Sequence, residues 1–189
     1  MAKKGIRYAV FGKLNTAETA YTDGKYLSPV VNFNGTPNNN SVKDYGDDST
    51  VEVATETTGA TLSIELNYDD TDIYQMLLGH TVASDMITYS IDDEAPFVGV
   101  GAVGYRSGGG KKWRAKFYTK VKFQEPNDEN TTKEEGMTFN HITLEGECVP
   151  NAAGVWKIDK EFSSLAEAKT WLNAQVGIAG GGSGSGSGS

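Results

Sequence analysis

The sequence predicts a mainly β fold: an antiparallel β-sandwich or barrel with short α-helices flanking it, nominally α+β. Three observations carry this. From Lys112 the side chains alternate without a break for twelve residues, with Lys112, Arg114, Lys116, Tyr118, Lys120 and Lys122 on one parity and Trp113, Ala115, Phe117, Thr119, Val121 and Phe123 on the other. That period of two is a strong strand signal, and at ~3.3 Å per residue the run spans roughly 40 Å. Other β-like runs are separated by turn-rich stretches in a chain with 23 glycines. Only two segments take helical spacing, and they separate groups of strands instead of alternating with each strand, so the βαβ pattern is excluded.

Lys111 to Val149 reads as a long antiparallel hairpin for which the other elements are partners. In its second arm Met137 and Phe139 fall on one parity and Ile142, Leu144 and Cys148 on the other, which predicts a β-bulge near Asn140–His141. Upstream, Gly5–Leu14 is a first strand and Tyr26–Phe33 a second, with Pro29 marking an edge or a strand start. Asn34–Thr50, rich in Asn, Gly, Asp and Ser, reads as a loop whose length points to a functional or disordered segment. Val51–Tyr68 holds two alternating halves around Gly59. In Asp69–Gly79, Ile73, Met76 and Leu77 have helical spacing, with Asp70 or Thr71 to cap the start and Gly79 to end it. Ile87–Ile91 and Phe97–Tyr105 are further strands, the second spaced by glycines, and Val155–Ile158 another. Ser163–Val176 is the clearest helix: Ser163 or Ser164 caps it, Glu167 sits in its first turn, and Leu165, Ala168, Leu172 and Val176 form one stripe.

Residues 1–178 make one domain, and 179–189 read as a flexible Gly/Ser linker or tag. The net charge of −8 means that the whole molecule repels nucleic acid. The single cysteine, Cys148, excludes an internal disulfide framework, fits a reducing compartment, and is expected to be a small core residue. No apolar run approaches the ~20 residues that span a bilayer. The start, MAKKGIRYAVFG, has neither an apolar h-region nor a cleavage site, so no secretion signal is expected.

Catalytic signatures fail on context. Gly99–Gly104 matches G-x-G-x-x-G, but a dinucleotide site needs a helix opening there, and here a strand follows, so the glycines read as sites of close approach or bending. Gly108–Lys112 lacks the spacing and the Ser/Thr of a P-loop. His80 and His141 have no ligand-spaced partner, and the pairs Asp47–Asp48, Asp69–Asp70 and Asp92–Asp93 sit at turns and a helix start, where Asx chemistry explains them. No enzyme activity, cofactor or metal is expected. The five basic residues of the Lys112–Lys122 face are expected to meet acids, with Glu134, Glu135, Glu145 and Glu147 on the neighbouring arm, and not to grip DNA.

The phrase VKFQEPNDENTTKEEG at Val121–Gly136, followed by a strand ending TLEGEC, resembles the major tail proteins, or tail tube proteins, of long non-contractile-tailed phages. The start KKGIRYAVFGKLN, the helical DDTDIYQMLLG and the ending FSSLAEAKTWLNAQ fit the same layout, so the resemblance covers roughly residues 1–178. It implies a β-sandwich with a flanking helix that forms hexameric rings. These would stack into a hollow tube whose lumen passes genome DNA transiently and without sequence preference. It also implies a virion location after assembly in the host cytoplasm, and as partners other copies of itself, a tape-measure protein, and baseplate or tail-terminator proteins, with no membrane.

Within that frame Asn34, Asn39, Lys43, Asp44, Tyr45, Asp47 and Asp48 are candidates for the contact between rings, and the connection Glu125–Gly136 is a second candidate. Arg114, Lys116, Tyr118, Lys120, Lys122, Glu145 and Glu147 are candidates for the sheet continuing between subunits. Two alternatives stand beside this reading: the tube protein of a contractile or tailocin-type particle, and a monomeric β-sandwich binding module.

Overall fold

A computed structural model describes residues 3–27, 29–46, 49–67, 70–84, 86–106, 112–127 and 141–178. The chain is mainly β. It runs β1 (Lys3–Leu14), β2 (Tyr21–Tyr26), β3 (Val30–Gly46), β4 (Ser49–Leu66), α1 (Thr71–Met76), β5 (Thr81–Ala83), β6 (Met86–Thr88), β7 (Val98–Arg106), β8 (Lys112–Phe123), β9 (Ile142–Cys148), β10 (Lys157–Phe162) and α2 (Leu165–Val176). Eight strands form one antiparallel sheet in the order β2-β1-β7-β8-β9-β4-β3, with β10 also on β8; β5 and β6 pair separately.

The sheet folds over on itself. Ala9, Phe11, Val100 and Tyr118 from one side meet Leu62, Ile64, Leu66 and Leu144 from the other in a single core. A second core lies on the outer face of β1, β7 and β8, where Tyr8, Val10, Val103, Ala115 and Phe117 pack under Ala168, Leu172 and Val176 of α2. Burying one such leucine contributes about 1.5–3 kcal/mol. Gly99 and Gly101 allow this packing: a Cβ at Gly101 would lie 2.6 Å from Leu172 Cδ2, and one at Gly99 2.4 Å from Tyr21 Cε1. The glycine-spaced strand is therefore a close-approach strand, as its sequence suggested.

Because both faces of β8 are covered, its alternation separates two cores and not an inside from an outside. Trp113, Ala115 and Phe117 belong to the α2 side, whereas Tyr118, Val121 and Phe123 belong to the other. Tyr118 is thus buried at 1 % exposure, not displayed with the lysines. The parity changes at a bulge, since Val98 pairs with Val121 but Val100 with Tyr118.

At this bulge the sheet forks. Thr119 N donates to Trp156 O at 3.1 Å and Val149 N to Lys120 O at 2.9 Å. β10 takes the first half of β8 and β9 only Val121–Phe123, while β9 pairs along its whole length with β4. The expected long hairpin between β8 and β9 is corrected accordingly. The bulge expected near Asn140–His141 falls partly outside the described residues, and Met137 and Phe139 lie wholly outside them.

Both helices start at their expected caps, whereas α1 ends at Leu77 and not at Gly79. Asp70 caps α1 and accepts from Asp72 N; Ser164 caps α2 and accepts from Glu167 N, and Gly177 ends α2 in the left-handed conformation at φ 75°. Among the described residues no helix is long and apolar enough to cross a membrane. Residues 179–189 lie outside the described residues.

Candidate assembly interface

The stretch expected to be a loop, Asn34–Thr50, instead holds most of β3 and the first residues of β4. β3 has 17 residues and β4 has 18, the longest strands in the chain. They pair from Val30↔Leu66 to Gly46↔Ser49, with register shifts at Val30/Asn32, Asn38/Asn39 and Asp44/Tyr45. β9 supports β4 only over Ala60–Leu66. Beyond that point β3 and β4 have, among the described residues, no strand partner but each other.

The inner half of this hairpin buries Leu62, Ile64 and Leu66. In the outer half Asn39, Asn40, Ser41 and Thr55–Thr58 are all exposed, so neither face of the arm is covered there. The halves meet at Gly59, whose φ of +152° and the 2.1 Å from a built Cβ to Cys148 O make it a glycine position. Side-chain hydrogen bonds lace the junction: Thr57 Oγ1 donates to Asn39 Oδ1 at 2.8 Å, and Asn38 Nδ2 to Glu147 Oε2 at 3.1 Å. Thr61 Oγ1 also lies 3.0 Å from Glu147 Oε1.

The candidates for a ring-to-ring contact fall on this arm. Asn34 and Asn39 are exposed on β3, and Lys43, Asp44 and Tyr45 lie in its outer part. Asp47 and Asp48 lie outside the described residues, between the paired Gly46 and Ser49. Of the second candidate, the connection Glu125–Gly136, all but the first three residues lie outside the described residues. The loop reading failed because strands are recognised by apolar alternation, and a ribbon exposed on both faces has none. The signal that could have found it is its neighbour: β4 runs VEVATETT with strand spacing and needs a partner of equal length.

Most of the group expected to continue the sheet between subunits is already engaged within the chain. Arg114 Nη2 meets Asp159 Oδ2 at 2.6 Å, and Lys112 meets Glu161 at 3.6 Å. Lys120 pairs with Glu18, and Lys122 with Glu94 at 2.9 Å. These bonds hold the Glu18 and Glu94 carboxyls below their ordinary range. Lys120 and Lys122 also lie over the Phe97 ring at 4.6 and 5.5 Å. Lys116 too has a partner.

These acids come from the β1–β2 turn, the turn before β7, and β10, none of which is the expected arm. Glu147 lies opposite Lys122 in the ladder but spends its carboxylate on Asn38 and Thr61, and Glu145 lies opposite Ser63. Glu134 and Glu135 lie outside the described residues. Cys148 is buried, donates to Trp156 O at 3.3 Å, and has its thiol pushed up to about 11 by burial.

Sheet edges complete the surface. β3 and β2 end the strand order, and the outer part of β4 is a third edge. An edge presents a row of unpaired N–H and C=O groups, which is a template for another chain. No protein-family model matches the sequence, and no curated protein matches it.

Proposed function

We propose that this chain is a structural, non-enzymatic tube subunit. It assembles edge to edge into hexameric rings, and its β3–β4 arm reaches the next ring as the rings stack into a hollow conduit for DNA in a phage virion. The observation that carries this is the arm: the longest strand pair among the described residues runs past its last neighbouring strand, and Asn39–Ser41 and Thr55–Thr58 are exposed where it does so. An isolated two-stranded ribbon is marginal in water, so an arm of this length needs a partner to order it. A second copy supplies one at every ring, and a heterologous contact that closes by rotation makes a ring while its repetition along an axis makes a tube.

The sequence resemblance to tail tube proteins supports the same reading. The net charge of −8 suits a conduit that phosphate backbones slide through without sticking. A tape-measure protein and baseplate or terminator proteins would set where the tube starts and stops. The ion pairs on β8 support a role for that strand in bracing the subunit, leaving contacts between subunits to the edges.

The test is to replace Asn39–Thr58 by an Asn-Gly turn joining Asn38 to Gly59, which face each other across the ladder. The wild-type protein is expected to form tubes or six-fold rings by negative-stain microscopy. The shortened protein keeps its far-ultraviolet circular dichroism and melts cooperatively but does not form tubes. Tubes of normal length from the shortened chain would sink the assignment of the arm, and a wild-type chain that stays monomeric at high concentration with nucleating partners would sink the tube itself.

A further inference from the structure

His80 is buried at 6 % exposure in the linker between α1 and β5, with its backbone N–H tied to Tyr74 O at 3.0 Å. Both of its ring nitrogens face carboxylates. Nδ1 lies 2.7 Å from Asp93 Oδ2, and Nε2 is hydrogen-bonded to Glu125 Oε1. Tyr89 packs on the ring with centroids 4.4 Å apart, and Tyr74 lies at 6.5 Å. The adjoining Glu94 is occupied by Lys122.

A neutral imidazole carries one N–H, so it can donate to only one of two carboxylates, while the other meets a lone pair. Only the imidazolium satisfies both. The two carboxylates are not equivalent. Asp93 also accepts from Ser90 N at 2.9 Å and is largely buried, so it stays in place. Glu125 is 53 % exposed and can turn to water. Backbone pairing after β8 ends one residue earlier, where Gln124 N donates to Glu145 O at 2.8 Å.

We propose that His80 and Glu125 form a proton-dependent latch: the imidazolium pins the chain leaving β8 to the α1–β5 linker, and loss of the Nε2 proton releases Glu125 while Asp93 remains bound. Burial by itself lowers the histidine's affinity for its proton, but the hydrogen bonds and charges of Asp93 and Glu125 outweigh it and raise the titration above the ordinary 6.5. A group raised on folding stabilises fully below its free value and loses that contribution as pH climbs through the folded value. The latch is therefore closed in mild acid and opens above pH 6.5, the opposite direction from a histidine buried neutral.

The experiment is a pH series of imidazole and backbone amide NMR on the whole chain, with amide protection measured at Gln124, whose N–H is bonded to Glu145 O. In the wild type His80 is expected to titrate above 6.5, and protection at the Gln124 amide to fall across the same transition. The fall is about tenfold for each pH unit that separates the folded and free titrations. Glu125→Gln, a substitution at a half-exposed site, lowers the His80 midpoint and removes the step, while the contact from Nδ1 to Asp93 persists. A wild-type midpoint at or below 6.5, or a step unchanged in Glu125→Gln, would overturn the latch.

Discussion

The two halves of the β3–β4 hairpin have the same strand geometry and opposite surroundings. From Ala60 to Leu66, β4 is flanked by β3 and β9 and buries Leu62, Ile64 and Leu66 at essentially no exposure. From Thr55 to Thr58 it has β3 alone and every side chain is exposed. Backbone hydrogen bonding is common to both halves, so it does not distinguish them. What differs is apolar burial, which supplies most of the net stabilisation of a sheet because hydrogen bonds to water are merely exchanged. The inner half belongs to the core of the chain, and under the proposed tube assembly the outer half gains its stability from the copy it docks against.

Substitutions along this one hairpin should therefore fall in a steep order in urea unfolding of the unassembled chain. Leu62→Ala empties a fully buried site and is expected to cost about 2–5 kcal/mol, the range of large-to-small core changes. A cost under about 1 kcal/mol would mean that the inner half is not core. Gly35→Ala comes next: its Cβ would sit 2.1 Å from Tyr118 Oη, forcing the buried ring to shift at a cost of about 1–3 kcal/mol. Thr57→Ala removes one exposed side-chain hydrogen bond and is expected to stay within about 0.5 kcal/mol. If Thr57→Ala destabilised the unassembled chain as much as Leu62→Ala, the two halves would be energetically alike and the comparison would fail. If the arm docks as proposed, Thr57→Ala should lower the yield of tubes in negative-stain microscopy by more than its small effect on folding accounts for.

Much of the fold was legible where local chemistry decides it. Ser164 starts α2 because a hydroxyl must satisfy its first N–H groups. Asp70 does the same for the start of α1. The period of two in Trp113–Phe123 announced β8, and the glycines of Gly99–Gly104 read rightly as a strand with close approach. The candidate interface was legible only as a place. Asn34–Thr50 was singled out as the unusual segment, but it read as a loop, because Asn, Gly and Asp usually mark turns and an exposed ribbon carries no alternation to contradict them. The His80 latch left no local trace, since its acids lie 13 and 45 residues away.

Composition and periodicity alone determined that this chain is a β protein with two capped helices, because those properties arise from residues within a few positions of one another. Tertiary structure alone decided which face of β8 meets which core, that the sheet forks at its bulge, that its basic residues pair with Glu18, Glu94, Asp159 and Glu161, and that a polar stretch becomes part of the longest ribbon in the molecule. Each of those depends on which distant segment comes to lie alongside, and strand pairing is set by partners that no local pattern names.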